Sequence, residues 1–176
     1  IEGDPDLKYL NEVNKRYGSK EFLVLTYTPT EGMATDASIN NLLSLKYKIQ
    51  SLDWVHSVIT LLDVPLLNNS DKPLQERLEE FKTLKDKDVD KNRGFKEILD
   101  SPVFRNFVIS KDGQTSGIIV NLKKNQELKN FQNISEKEIE ILKDKEKKQN
   151  HQNILEIRDV IKSYEDIGKI YLGGIP

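Results

Sequence analysis

The most constraining feature of the sequence is a β-prone run followed by a helical stripe and a second β-prone run. The run 22–28, FLVLTYT, has apolar side chains on both alternating faces, which is typical of a central strand. A helix is then predicted to begin near Thr35 or Asp36, because apolar residues recur at helical spacing. These residues are Leu42, Leu45, Ile49 and Leu52. The segment 54–65, WVHSVITLLDVP, ends at Pro65 and completes a predicted β-α-β unit.

The rest of the chain predicts a hairpin, a helix and a last strand. Asp112-Gly113 lies between the β-prone runs 103–110 and 114–122, and Asp-Gly favours a hairpin turn because both central positions need positive φ. A capping-box pattern at Ser135 begins a helix, and a strand follows Gly168. The order β-α-β, β-hairpin, α-β predicts an α+β protein with a ferredoxin-like split β-α-β layer, its helices on one face of an antiparallel sheet.

Three additions to this layer are predicted within a single domain, 1–176. Asp4 and Pro5 favour the start of an extra N-terminal helix, because Asp can accept from the first-turn amides and Pro loses no hydrogen bond there. A helical insertion spans about 66–102, and a second insertion spans about 123–148. The first insertion has an apolar stripe at helical spacing, formed by Leu74, Leu78, Phe81 and Leu84.

The segment 135–166 allows two interpretations. Apolar residues vanish between Lys143 and Gln152 and then resume at helical spacing from Ile154. The segment is therefore either one helix of about 45 Å, at 1.5 Å per residue, or two helices. We favour two helices, with a break near Asn150.

Charge and composition exclude several classes of function. Twenty-seven basic and 29 acidic residues are interleaved along the chain, so the one-sided basic surface that binds nucleic acid is missing. The absence of cysteine excludes disulfides and thiolate metal sites. No apolar run approaches the ~20 residues that span a bilayer.

No motif supports catalysis. The two histidines, His56 and His151, lie in a strand pattern and a charge-rich segment, without a nucleophile-elbow sequence nearby. The alternating acids of 85–94 lack the closing glutamate of a calcium loop. Gly173-Gly174 follows a strand but precedes no helix on which a phosphate could sit. We therefore expect no enzymatic activity, metal site or cofactor.

Four stretches, taken in order, carry a family resemblance. They are DPDLKYLNEVNKRYGSKEFLVLTY from Asp4, LDWVHSVITLLDVPLL from Leu52, SKDGQTSGIIVNL from Ser110, and HQNILEIRDVIKSYEDIGKIYLGGIP from His151. With these stretches the chain resembles the first extracytoplasmic loop, between transmembrane helices one and two, of resistance-nodulation-division (RND) superfamily exporters. The branch it resembles is akin to the MMPL and hydrophobe-exporter families. The resemblance covers 4–176.

The resemblance implies a proton-driven exporter of hydrophobic or lipid-like molecules in the inner membrane of a bacterium, with this porter domain on the periplasmic side. The implied partners are the transmembrane bundle and second porter loop of the same chain, further copies in a homo-oligomer, and the substrate. The proton-coupling residues of such exporters lie in the membrane bundle.

Residues of this chain can be assigned expected places from the resemblance. Tyr27 and Met33 are expected to face the substrate, unless both are enclosed in the domain's own core. The junctions with the membrane helices are expected at Asp4, Pro5, Gly173, Gly174 and Pro176.

An extracytoplasmic sensor that binds a small ligand is the alternative function. A sensor predicts an enclosed pocket with convergent polar groups. A porter loop predicts an open apolar face that awaits a partner. The two differ in whether their apolar surface is closed within one domain.

Overall fold

The computed structural model describes residues 22–68, 71–123 and 135–173. The N-terminal helix predicted at Asp4 and Pro5, and the expected junction residues Gly174 and Pro176, lie outside these residues. The strands are β1 (Phe22–Pro29), β2 (Val55–Ile59), β3 (Ser116–Leu122) and β4 (Gly168–Gly173). The α-helices are α1 (Asp36–Gln50), α2 (Leu74–Glu79), α3 (Lys91–Asp100) and α4 (Glu136–Ser163), and 3-10 turns span Leu61–Asp63 and Glu165–Ile167.

The protein is a mixed α+β structure built on a four-stranded antiparallel sheet. The strand order is β2-β3-β1-β4, so β1 is an inner strand, as its sequence predicts. Strands β1 and β2 are each antiparallel to β3, which lies between them, and they are connected through α1. Strands β3 and β4 are each antiparallel to β1, and they are connected through α4.

Helix α1 begins where the sequence predicts it to begin. Thr35 is the N-cap, and its hydroxyl oxygen accepts a hydrogen bond from the Ser38 amide at 3.1 Å. This bond satisfies one of the amides that the first turn leaves without a helical partner. The predicted stripe is buried from Leu42 to Ile49, and α1 contacts β2 and α4.

Helix α4 is continuous, so the predicted break near Asn150 is wrong. Its 28 residues include neither Gly nor Pro, and Lys, Glu and Gln are good helix formers even without an apolar face. An ion pair between Lys148 and Asp144, one turn apart at 3.3 Å, lies in the polar stretch. The buried side chains of α4 are Asn153, Ile157 and Val160, so only its C-terminal half packs on the body.

The predicted hairpin exists only as a tight turn. Asp112-Gly113 does form the turn, with Gly113 at φ +72°, and Ser110 donates its amide to the Thr115 carbonyl at 2.9 Å. The run 103–110, however, makes only isolated bridges and is not a strand. Asn106 interrupts it in a left-handed conformation at φ +68°, which breaks the regular ladder.

Two other elements are shorter than the sequence predicts. Strand β2 ends at Ile59 because Thr60 and Asp63 form a capping box around the 3-10 turn that follows. In the first insertion, the predicted apolar stripe falls on the six-residue helix α2 and the segment after it. Its Leu84 is buried, whereas Leu74, Leu78 and Phe81 are exposed.

Candidate functional site: the outer face of the sheet

The strand register divides the sheet into two faces, because side chains alternate along a strand. Leu25 pairs with Ile118 on one side and with Leu172 on the other, and all three lie on the same face. This inner face forms the core with α1 and the C-terminal half of α4. The residues that precede and follow these three along each strand point to the opposite side of the sheet and define its outer face.

One half of the outer face is covered. Ile119 and Asn121 of β3 are buried there, and the Asn121 side-chain amide donates to the Ser57 hydroxyl at 3.0 Å. At Gly117, a Cβ atom would lie 2.7 Å from the Phe107 carbonyl oxygen, so the segment before β3 passes close over this strand. Any larger residue at Gly117 would push this segment away.

The other half of the outer face is open, and we name it the outer-face patch. It consists of Val24, Thr26 and Thr28 on β1 with Lys169 and Tyr171 on β4. The Tyr171 side chain is 62% exposed, while the three β1 residues are half-buried. Gly173 pairs with Val24 and adds no side chain to this part of the face.

The sheet is almost free of charge in a chain of which 32% of the residues are charged. None of the four strands contains Asp or Glu, and Lys169 is their only Lys or Arg. The polar atoms of the patch are mainly hydroxyls, of which that of Thr28 hydrogen-bonds to the Thr115 hydroxyl at 2.8 Å. Such a surface can bury an apolar chain and can place one ammonium group against an acidic head group.

Tyr27 and Met33 do not lie in this patch, contrary to the sequence-based expectation. Both are enclosed in the core. Tyr27 is two residues from Leu25 and therefore shares its inner face, whereas Thr26 and Thr28 point outward. Counting this alternation from a core residue would have identified Thr26, but no sequence signal set Tyr171 apart.

The Tyr27 hydroxyl is a buried polar group under α1. Within the described part of the chain it makes no hydrogen bond of normal geometry. Burial raises the pKa of this phenol, and the nearby side chains of Asn41 and Ser38 partly oppose that rise. The neutral hydroxyl is therefore the form that the fold favours.

A cluster of charged groups joins α1 to the first insertion. Lys46 is buried on α1 and forms an ion pair with Asp63, which also lies 3.8 Å from the Lys85 ammonium. The second carboxylate oxygen of Asp63 accepts a hydrogen bond from the Thr60 amide at 2.8 Å. The carboxylate thus has three partners, and the cluster holds separate chain segments together.

Residues 22–68, 71–123 and 135–173 contain no group of three His, Cys, Asp or Glu side chains arranged to hold a metal ion. His56 and His151 are both exposed. In the same ranges no helix combines the length and the apolar character needed to cross a membrane. Gly173, the one expected junction residue that the structure describes, ends β4 opposite Val24.

Comparisons with known proteins give no relative. No protein-family model matches the chain, and neither a curated protein nor a solved structure matches it significantly.

Proposed function

We propose that this chain is an extracytoplasmic porter loop of a proton-driven RND-type exporter, where it contributes to the recognition and passage of hydrophobic or lipid-like molecules. It would lie on the periplasmic side of a bacterial inner membrane. Its partners there would be the transmembrane bundle and the second porter loop of the same protein. The four ordered stretches that resemble the family support this proposal.

The outer-face patch is the observation that carries the proposal. Charged residues are abundant elsewhere in the chain. Within the outer-face patch, by contrast, Lys169 is the one charged residue, and the other side chains are hydroxyl-bearing or apolar. Each Å² of apolar surface removed from water contributes roughly 25 cal/mol, so an acyl chain or a partner surface laid on the patch is stabilised. A porter loop needs such a face.

The strand connections support a ferredoxin-like architecture for the proposed porter subdomain. The units β1-α1-β2 and β3-α4-β4 each leave a gap that a strand of the other unit fills. Two interleaved split β-α-β units of this kind are the ferredoxin-like pattern. Because that pattern carries many functions, it supports the proposal without selecting it.

The membrane context is tested by the reading frame on either side of this sequence. Apolar runs of about 20 residues close to Ile1 and Pro176 agree with a loop between two transmembrane helices. Polar continuation at both ends contradicts the exporter proposal. This observation needs no folded protein.

The binding role is tested with cis-parinaric acid, a fluorescent fatty acid. We expect Tyr171→Asp to weaken its binding roughly tenfold, because the substitution removes a ring contact worth about 1.5 kcal/mol and adds a charge. Tyr47→Asp is the matched control, since Tyr47 is similarly exposed at 57% but lies on α1. No binding, or equal loss in both variants, contradicts the proposed role of the patch.

A further inference from the structure

Strand β4 is an edge of the sheet, and one side of its backbone has no strand beside it. The order β2-β3-β1-β4 places β4 next to β1 only. Within 22–68, 71–123 and 135–173, backbone hydrogen bonds join β4 to β1 alone. The N–H and C=O groups of an unpaired edge are a template for one more strand.

The proline at the end of β1 shows which groups of β4 are unpaired. Pro29 has no amide hydrogen, so Pro29 and Gly168 form a non-hydrogen-bonded pair of the antiparallel ladder. The Thr30 amide accordingly donates to the Ile167 carbonyl at 3.3 Å, as the residues flanking such a pair do. Because pair types alternate, every second residue of β4 turns its N–H and C=O groups away from β1. We name these the free-edge residues, and they are Gly168, Ile170 and Leu172.

The two edges of the sheet differ in how they resist pairing with another chain. Strand β2 has five residues, and its register with β3 shifts between Val55 and Ser57. A short strand and a local irregularity both protect an edge. Strand β4, by contrast, pairs with β1 along its whole length without a shift, contains no proline and has Lys169 as its one charged residue. The β4 edge is therefore the one suited to a further strand.

We propose that β4 pairs with β4 of a second copy of this chain, antiparallel and around a twofold axis at Ile170. In this register Ile170 faces Ile170 of the second copy, and Gly168 faces Leu172 of the second copy. Every free-edge residue then lies in a hydrogen-bonded pair, in which the two residues exchange both N–H···O bonds. No free-edge group of β4 is left over.

The side chains that meet in this register also suit each other. Lys169 of each copy lies opposite Tyr171 of the other, in a non-hydrogen-bonded pair, where facing side chains approach most closely. Both side chains are exposed in the single chain. An ammonium group over a tyrosine ring is a favourable contact. A parallel pair of the same strands would instead set Lys169 beside Lys169. The match of β4 with itself identifies a second copy as the occupant of this edge.

The association closes at two copies. A twofold contact uses the same edge of both chains, so the irregular β2 edges stay outside and the two sheets become one. Both outer-face patches then lie side by side on the same face of the joined sheet. Two strands of six residues bury less than the 1,200–2,000 Å² typical of stable complexes, so the dimer forms at high protein concentration. This inference does not depend on the proposed function.

Proline at Leu172 tests the backbone bonds across the axis. The Leu172 amide points to the free edge, so Leu172→Pro removes a bond to the second copy and none to β1. Leu172→Ala is the matched control, because it shortens the same side chain and keeps the amide. In sedimentation equilibrium we expect the dimer dissociation constant of Leu172→Pro to exceed that of Leu172→Ala roughly tenfold, since each dimer loses the bond twice.

Charge exchange tests the register through side chains that lie outside the core. Tyr171→Lys places a lysine opposite Lys169 of the second copy, so this variant should remain monomeric where the wild-type chain is dimeric. Adding Lys169→Glu restores an opposite-charge pair at the same place, and the double variant should dimerise again. Tyr47→Lys is the control, because Tyr47 is similarly exposed but lies on α1. Circular dichroism shows that each variant still folds.

Cysteine cross-linking gives a second measure of the register, because the chain contains no cysteine of its own. The Cα atoms of a non-hydrogen-bonded pair are about 4.5 Å apart, which a disulfide can span. An equimolar mixture of Lys169→Cys and Tyr171→Cys chains should therefore oxidise to a covalent dimer. A mixture of Lys169→Cys and Tyr47→Cys chains is the control and should not.

Three results would overturn the proposal. The first is a wild-type chain that stays monomeric up to about 1 mM, where even weak contacts are populated; the β4 edge would then await a strand of a different protein. The second is a Leu172→Pro variant that dimerises as well as Leu172→Ala. The third is a register that fails, with equal cross-linking in the two cysteine mixtures or no recovery of the dimer in the double charge variant.

Discussion

Replacing Asp63 by asparagine removes the charge that joins α1, the 3-10 turn and the first insertion. The Lys46 side chain is only 8% exposed, and the substitution would leave it buried without a carboxylate partner. Removing one member of a buried pair costs about 3–5 kcal/mol. Asp63 is 27% exposed, and asparagine can still accept from the Thr60 amide, so we expect a loss of about 2–3 kcal/mol for Asp63→Asn.

The opposite substitution should cost much less. In Lys46→Met, Asp63 keeps the Lys85 ammonium at 3.8 Å and the Thr60 amide at 2.8 Å, and the methionine fills a similar apolar space. We expect a loss of at most about 1 kcal/mol, because the Asp63 carboxylate is 27% exposed and keeps these two partners, so no uncompensated buried charge remains. Asp63→Ala should cost about 1 kcal/mol more than Asp63→Asn, because it also loses the cap.

Urea unfolding measures these differences through Trp54, the single tryptophan, whose indole donates to Glu156 at 2.5 Å. The expected loss for Asp63→Asn corresponds to a fall in Tm of roughly 5–10 °C for a domain of this size. The double variant Lys46→Met/Asp63→Asn should have a free energy of unfolding close to that of Lys46→Met alone, because Lys46 and Asp63 are directly coupled. Equal losses of stability in Asp63→Asn and Lys46→Met would refute this account of the cluster.

The other predictions concern glycines and the buried tyrosine. Gly168→Ala should destabilise the fold by more than about 2 kcal/mol, because its Cβ would overlap the Thr28 carbonyl oxygen and its φ is +156°. Gly32→Ala should cost only about 1 kcal/mol, since its φ is +82° but the space around it is empty. Thermal unfolding measures both losses of stability, and a larger loss for Gly32→Ala than for Gly168→Ala contradicts the geometry. Tyr27 has a raised pKa, so the stability it contributes is present below pH 10 and is lost as pH rises through the folded pKa. The alkaline loss of stability should therefore be smaller in Tyr27→Phe, and an unchanged profile contradicts this.

Local signals predicted the central elements of the fold. The run before Pro29 and the stripe after Thr35 each combine a clear period with a clear boundary residue, and both appear where expected. The break near Asn150 was wrong because an absent apolar face says where a helix packs, not whether it continues. The strand at 103–110 failed because Asn106 takes a left-handed conformation that its neighbours do not signal.

The candidate site was harder to predict than the fold. Which residues face outward depends on which side of the sheet the helices cover, and a single strand with apolar residues on both faces does not encode that choice. Tyr27, which the resemblance leads one to expect on the substrate side, shares the inner face with Leu25. Tyr171 lies in the patch because β4 pairs with β1, and this pairing joins distant parts of the chain that the local sequence does not connect.

The central claim is that the outer-face patch accepts a hydrophobic or lipid-like molecule. Its most direct test is a two-dimensional NMR titration of the chain with a medium-chain fatty acid below its micelle concentration. We predict that the largest shift changes occur at the amides of Val24, Thr26, Thr28 and Tyr171 and that they saturate. Changes confined to α1, or no saturable change in the sheet, would contradict the claim.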